Sequence, residues 1–242
     1  MPQAPAFVGD LATSLLGRRT DVLDVREPAP GFLELELRAE APSGGWQPGH
    51  EVQFRITPSL TRRYTVRTVG GPDSEHISIL AATEAAGPGT AWLRSLRVGD
   101  RITALAARYW PLREHGTRRL YLGDGCSLGT LDAYAQRGAA SVGAVTVAVA
   151  VEVPAPAVAP LAERWPEYRF LPAGDSPGDA LQSWLERALH EGEFKGSGLD
   201  GALLLGHAQS IQRQRRTLTD SQALSRRAIT TKPYWSTGKT GL

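Results

Sequence analysis

Two hydrophobic rhythms divide the chain. From Asp21 to Leu105 apolar residues recur at every second position in short runs, whereas beyond Leu120 they come in unbroken blocks between segments of helical period. The cleanest alternation is Phe32-Leu33-Glu34-Leu35-Glu36-Leu37-Arg38; further runs lie at Val22–Val25, Val52–Ile56, Tyr64–Val69, Ile77–Leu80 and Ile102–Leu105. Alternation places successive side chains on opposite faces of a strand, so each run predicts a half-buried strand. Turn sequences such as Ala29-Pro30-Gly31, Trp46-Gln47-Pro48-Gly49 and Gly70-Gly71-Pro72-Asp73 separate them. About six short strands at this spacing predict an antiparallel β-barrel. Leu11–Leu16 has helical spacing and no assigned role.

The second half alternates strand and helix. Leu120–Asp124, Ala144–Val151, Tyr168–Leu171 and Leu203–Gly206 read as strands, the Val-rich block as one covered on both faces. Ser127–Ala135, Asp179–His190 and His207–Leu218 read as helices; the second carries Leu181, Trp184, Leu185 and Leu189 on one face. This order predicts an α/β domain with a mostly parallel sheet, whose ligands bind at the carboxyl ends of the strands. The polar stretch Pro111–Thr117 is the expected linker, dividing a barrel domain at 1–112 from an α/β domain at 113–242 with a C-terminal tail.

Composition narrows the function classes. A net charge of +2 over 242 residues argues against a dedicated nucleic-acid surface. One cysteine, Cys126, excludes an intramolecular disulfide framework, and the five histidines lack metal-pair spacing, so no resident metal is expected. Neither a signal peptide nor a membrane-length apolar run is visible. A cytoplasmic monomer without a membrane or nucleic-acid partner is expected.

Candidate chemistry gathers at a few places. In Leu60-Thr61-Arg62-Arg63-Tyr64-Thr65-Val66-Arg67 the strand period puts Arg62, Tyr64 and Val66 on one face and Thr65 and Arg67 on the other. Tyr64 can pack beside a planar ring, Arg62 can fork onto phosphate oxygens, and Thr65 can meet a polar edge. An ordinary half-exposed strand fits the same residues. Gly87-Pro88-Gly89-Thr90, followed by Trp92, Leu93 and Leu96 at helical spacing, reads as a tight turn opening a helix with Thr90 as N-cap; such a turn presents backbone N–H groups to an anion. Gly123 and Gly206 end strands where helices begin, which lets a phosphate or nicotinamide approach the backbone; the Gly-x-Gly-x-x-Gly fingerprint is present only in part. Glu152 ends a strand where an acid can bind an adenosine ribose. Cys126 lies near a helix start, which suits either a redox thiol or simply a small turn residue. The tail Thr230–Leu242, with Tyr234, Trp235 and two lysines, reads either as a terminal edge strand or as a segment folded back toward the cofactor.

Taken in order, these phrases resemble the siderophore-interacting family of the ferredoxin-reductase-like flavoproteins. Arg62-x-Tyr64-Thr65-x-Arg67 resembles its flavin signature, and Gly87-Pro88-Gly89-Thr90 with Trp92 its pyrophosphate turn. Gly123-Asp124-Gly125-Cys126-Ser127-Leu128-Gly129 and Gly206-His207-Ala208-Gln209-Ser210-Ile211 are similar to the phrases of its NAD(P)H domain, with Cys126-Ser127 and His207 departing from the usual residues. Tyr234-Trp235-x-x-Gly238-Lys239 is similar to its terminal phrase. The resemblance implies an FAD-dependent NAD(P)H oxidoreductase that reduces ferric siderophores. It implies FAD contacts by Arg62, Tyr64, Thr65, Val66, Arg67, Gly87, Pro88, Gly89 and Thr90, and NADH or NADPH contacts by Gly123, Asp124 and Gly206. Tyr234 and Trp235 would lie near the cofactor, Lys232 and Lys239 in the cleft for an anionic ferric siderophore, and no side chain would act as acid or base. A reductase of the same fold with a quinone or redox-protein acceptor, or a non-catalytic binding protein, remains open.

Overall fold

The computed structural model describes residues 18–108, 111–140, 145–194 and 198–238; Leu11–Leu16 and Lys239 lie outside them. The chain divides into two compact units, Met1–Pro111 and Leu112–Leu242.

In the first unit the alternating runs form β1 (Arg18–Ala29), β2 (Phe32–Ala39), β3 (Glu51–Thr57), β4 (Leu60–Thr65), β5 (Thr68–Gly70), β6 (His76–Ala82) and β7 (Arg101–Arg108). They join in one antiparallel sheet in the order β4-β3-β7-β1-β2-β6-β5. Its two edges, β4 and β5, are consecutive in the chain and separated only by Val66 and Arg67. The Val66 N–H donates to His50 O (2.8 Å) and the Arg67 N–H to Ser78 O (2.7 Å), so these two residues carry the chain from one edge to the other. The sheet therefore closes into a barrel. Val22, Leu35, Leu37, Val52, Phe54, Val66, Ile77 and Ile79 fill it, the inward half of each alternation.

Tyr64–Val69, expected as one strand, is thus two. The alternation reports which side chains face inward but not which neighbour the backbone bonds, and the neighbour changes at Val66–Arg67. Helix α1 (Pro88–Ser95) lies between β6 and β7 in sequence and buries Leu93.

The second unit is a five-stranded parallel sheet, β8 (Arg118–Asp124), β9 (Thr146–Val153), β10 (Arg169–Pro172), β11 (Gly201–His207) and β12 (Ile229–Trp235), in the order β10-β9-β8-β11-β12. Its helices are α2 (Leu128–Ala139), α3 (Ala155–Arg164), α4 (Asp179–Glu191) and α5 (Ala208–Asp220). The central β8 and β11 read Leu120-Tyr121-Leu122 and Ala202-Leu203-Leu204-Leu205, all nearly inaccessible, as a sheet covered on both faces requires. The chain steps outward from β8 to β9 and β10, then returns to the other side of β8 for β11 and β12. The topological switch point therefore falls between the carboxyl ends of β8 and β11, where ligands bind in open α/β sheets.

Helix α3 was not foreseen, because Pro154, Pro156 and Pro160 mask it. Pro156 occupies the first turn, where a missing N–H costs nothing. Pro160 lies inside the helix, yet Ala157 and Leu161, four apart, are fully buried and supply the packing that offsets it. The tail takes the edge-strand alternative: β12 pairs in parallel with β11, and Pro233 is tolerated on this outermost strand.

Candidate functional site

Two constellations stand out, one in each unit. On β4, Arg62 lies opposite Phe54 and Tyr64 opposite Val52. Directly paired residues share a face, and Phe54 and Val52 are wholly buried, so Arg62 and Tyr64 point inward at the barrel's edge. Both are half-buried. Tyr64 stacks near Trp92 of α1 (centroids 6.2 Å, 27° between planes), and Phe54 completes an aromatic group at 6.1 Å from Tyr64 and 5.7 Å from Trp92.

Helix α1 begins immediately beside them. Gly87 is its N-cap, Pro88 falls in the first turn, and no side chain caps it. Thr90, expected as the N-cap, lies inside the helix instead and donates its hydroxyl to Ala85 O (2.7 Å). The cap falls earlier because Pro88 has no N–H to satisfy and starts the helix at no cost. A Cβ on Gly89 would sit 3.4 Å from Arg62 Cγ, 3.5 Å from Arg62 Nε and 3.6 Å from Tyr64 Oη. The signature strand and the glycine turn are thus in contact. A guanidinium beside an uncapped helix start suits phosphate oxygens, and the Tyr64–Trp92 rings suit a planar heterocycle. The residues present fit a large aromatic phosphorylated cofactor.

The other residues of this group divide. Gly87 and Pro88 are exposed at the turn; Thr65, opposite Glu51, is half-buried on the face that carries Arg63. Val66 and Arg67 are absorbed by the fold. Val66 is fully buried, with its N–H bonded to His50 O and its carbonyl accepting from Gly49 N. The Arg67 guanidinium bonds the carboxylate of Glu34 on β2, and both are nearly inaccessible. Both residues thus also serve the closure of the barrel.

In the second unit the carboxyl ends of β8, β11 and β12 converge at the switch point. Trp235 Nε1 donates to Asp124 Oδ2 at 2.7 Å. The Trp235 ring lies against His207 with centroids 4.3 Å apart. His207 in turn pairs through Nδ1 with Ser210 Oγ (2.7 Å) and through Nε2 with Thr237 Oγ1 (3.0 Å). Burial pushes the His207 imidazole down from its usual range, and nearby Arg213 adds to the effect. The Tyr234 hydroxyl donates to Thr130 Oγ1 on α2 (2.9 Å). The Lys232 ammonium lies 5.7 Å from the Tyr234 ring, and burial lowers its pKa.

Gly123 and Gly206 are needed by the protein itself. A Cβ on Gly123 would overlap Ser127 Oγ, and one on Gly206, at φ +108°, would overlap the Asp124 carboxyl. Each glycine is thus required by the packing of the chain's own side chains, whatever approaches from outside. Glu152 is also spoken for: its carboxylate accepts from Gly178 N (2.6 Å) and Leu181 N (3.0 Å), satisfying orphan donors at the start of α4. Its expected role as a ribose acceptor does not survive this geometry. Cys126 is exposed in the short 3₁₀ turn Gly125–Ser127 after β8. Sequence reasoning missed the Asp124–Trp235 pair, since its members are 111 residues apart.

Burial pushes the Asp124 carboxyl up to about 6, Glu152 adding a smaller push and the Trp235 N–H opposing it. An acid raised on folding lends stability that is complete below its unfolded pKa and is lost as pH rises through the folded value. The loss falls between about pH 4 and pH 6 and amounts to about 3 kcal/mol. Asp124→Asn keeps an acceptor and removes the charge. Thermal melts should find it more stable than wild type at pH 8, and the difference should vanish near pH 4.

No protein-family model and no curated protein sequence matches the chain. Solved structures match the fold. The siderophore-interacting protein of Acinetobacter baumannii superposes with a TM-score of 0.71 at 15% identity, covering 93% of this chain and 92% of that one. A siderophore utilization protein from T. fusca gives 0.67 at 23% identity over 93% and 95%. Phthalate dioxygenase reductase, a modular protein for electron transfer from pyridine nucleotides to [2Fe-2S], gives 0.70 at 14% identity over 94% and 71%. The chain shares the fold of these proteins, an antiparallel β-sheet unit followed by a parallel α/β unit, and siderophore-interacting proteins and ferredoxin reductases are among its structural neighbours.

Proposed function

We propose that the protein is an FAD-dependent NAD(P)H oxidoreductase of the siderophore-interacting type, which reduces ferric siderophores. The observation that carries this reading is the meeting of Arg62, Tyr64 and Gly89 at the uncapped start of α1. Residues 1–112 would form the flavin domain and 113–242 the pyridine-nucleotide domain. Bound FAD would supply the conversion between two-electron transfer from NAD(P)H and one-electron transfer to a ferric acceptor. Arg62 and the N–H groups of Gly89 and Thr90 hold the pyrophosphate, Gly87 and Pro88 shape that turn, Tyr64 and Trp92 seat the ring system, and Thr65 meets its polar edge.

In the second domain the nucleotide enters at the carboxyl ends of β8 and β11, beside Gly123, Asp124 and Gly206, under the cover of Tyr234 and Trp235. Lys232 and Lys239 attract an anionic ferric siderophore. No side chain need move a proton to the acceptor, so the protein's contribution is binding, orientation and electrostatics.

A second reading follows from the similarity to phthalate dioxygenase reductase, whose electrons leave for an iron–sulfur centre: the acceptor here is a redox protein or quinone. Anaerobic reduction tests both. NADH or NADPH should bleach the flavin absorbance of the loaded protein, and a ferric siderophore should restore it faster than a quinone or ferricyanide. Faster return with quinone selects the second reading. No bleaching by either nucleotide contradicts the oxidoreductase reading altogether.

A further inference from the structure

The net charge of +2 averages two unlike parts of the chain. Residues 201–242 hold seven of the 27 basic residues and one of the 25 acidic ones, a net of +6, while the other 200 residues carry −4. An asymmetry of this kind points to an anionic partner. The fold concentrates it further. On α5, Ser210, Arg213 and Thr217 bond to Pro177, Asp179 and Gln182, so this flank faces α4 and the loop before it. Ile211 and Leu218 are buried against the sheet. The helical period therefore puts Arg215 and Arg216 on the remaining flank, which looks out past β12, the outermost strand.

Two further segments bring arginine to the same edge. The short 3₁₀ turn Arg226–Ala228 leads into β12, and the Leu224 N–H ahead of it donates to Leu218 O (3.1 Å) at the end of α5. Thr230 Oγ1 donates to Arg113 O (2.6 Å), which holds Arg113 at the start of β12. Arg215 is half-buried, and Arg113, Arg216, Arg226 and Arg227 are exposed. Among the described residues none of these five guanidiniums has an acid within ion-pair distance. Arg213, by contrast, is paired with Asp179, and Arg26, Arg38 and Arg101 of the barrel are all paired with acids. The one acid of residues 201–242 is Asp220, in the last turn of α5.

We propose that the α5–β12 edge docks the protein on an anionic lipid surface through Arg113, Arg215, Arg216, Arg226 and Arg227. Clusters of about four to eight basic side chains draw a protein to anionic headgroups, each contributing about fivefold. The edge offers no large apolar side chain: Val98, in the other unit, is the only exposed large hydrophobic among the described residues. A protein partner needs such an anchor at the centre of its interface. Single-stranded nucleic acid needs aromatics on which its bases stack, and Tyr234 and Trp235 are turned onto Thr130 and Asp124. A headgroup layer presents phosphates and requires neither. The negative remainder of the chain also suits a planar surface met from one side only. The contact is peripheral, since no helix among the described residues is long and apolar enough to cross a membrane.

Co-sedimentation of the full chain with vesicles is the test. Vesicles of equal parts phosphatidylglycerol and phosphatidylcholine should carry the wild type down, and vesicles of phosphatidylcholine alone should leave it in solution. Binding should collapse between about 0.1 M and about 1 M salt, where the Debye length shrinks from about 10 Å to about 3 Å. Combining Arg215→Gln, Arg216→Gln, Arg226→Gln and Arg227→Gln should weaken it on the order of a few hundredfold. Arg26→Gln, Arg38→Gln, Arg97→Gln and Arg101→Gln, combined in the same way, remove equal charge from the other unit and should leave binding near that of wild type. Equal retention by neutral vesicles, insensitivity to salt, or equal loss in the two variants would overturn the proposal. Tighter binding to a short DNA duplex than to the anionic vesicles would give the edge to nucleic acid instead. A wild type that ignores anionic vesicles would also refute it, and self-association of the edge variant would then make the arginines guards of the β12 edge.

Discussion

Replacing Arg62 and Tyr64 together with alanine should strip the protein of flavin while leaving its far-UV circular dichroism unchanged. The Arg62 guanidinium lies against the α1 turn, with Nε 3.5 Å from the position a Gly89 Cβ would take. A charge-assisted hydrogen bond is worth about 1.5–3 kcal/mol when removed. Loss of the Tyr64 ring adds about 0.5–1.5 kcal/mol beyond its buried area. Together they predict a fall in FAD affinity on the order of a hundredfold to a thousandfold. The barrel should survive, because the fully buried Val52, Phe54 and Val66 fill its interior, while Arg62 and Tyr64 lie half-buried at its edge. Arg62→Lys separates fork from charge, since it keeps the cation and loses the bidentate geometry. Titration of apoprotein with FAD, followed by quenching of flavin fluorescence, reads both variants. Unchanged affinity in the double variant would remove Arg62 and Tyr64 from the site.

The second large effect is expected at Gly206. Its φ of +108° lies where side chains are rarely accommodated, and an added Cβ would overlap the Asp124 carboxyl. Backbone strain alone costs about 1–3 kcal/mol. Displacing a buried carboxyl from the Trp235 N–H adds to it, so Gly206→Ala should cost on the order of 3–5 kcal/mol. A drop in Tm of more than about 10 °C follows for a domain of this size. The double variant Gly206→Ala with Asp124→Ala isolates the overlap, because removing the carboxyl leaves only the strain. It should recover part of the loss. A Gly206→Ala protein that melts like wild type would show that Asp124 does not occupy that space.

How much of this could be read from the chain alone depended on the range of the interaction involved. The alternation in Phe32–Arg38 translated directly into β2, whose inward residues Leu35 and Leu37 are fully buried. The apolar block before Gly206 became the central β11 for the same reason. Short-range chemistry misled where two causes fit one residue. Gly123 and Gly206 are glycines because the chain's own Ser127 and Asp124 fill the adjoining space, and a ligand's approach would demand the same residue. Thr90 has the chemistry of an N-cap, but Pro88 starts the helix earlier. Partnerships between distant segments left no local trace. The Glu34–Arg67 pair, the Glu152 contacts with the start of α4, and the Asp124–Trp235 bond all depend on which strands become neighbours. At the candidate flavin site, Arg62, Tyr64, Gly89 and Trp92 were legible as a set of types, and the fold brings them into contact. Val66 and Arg67 were read as part of that set, and their part in barrel closure left no local sign.

The central claim is that this barrel holds a flavin through Arg62, Tyr64 and the turn at Gly87–Thr90. The visible spectrum of the purified full chain, after incubation with excess FAD and removal of free cofactor, tests it most directly. The account predicts a yellow protein that retains the visible absorbance of its flavin. A colourless protein that leaves added FAD in the wash would contradict it.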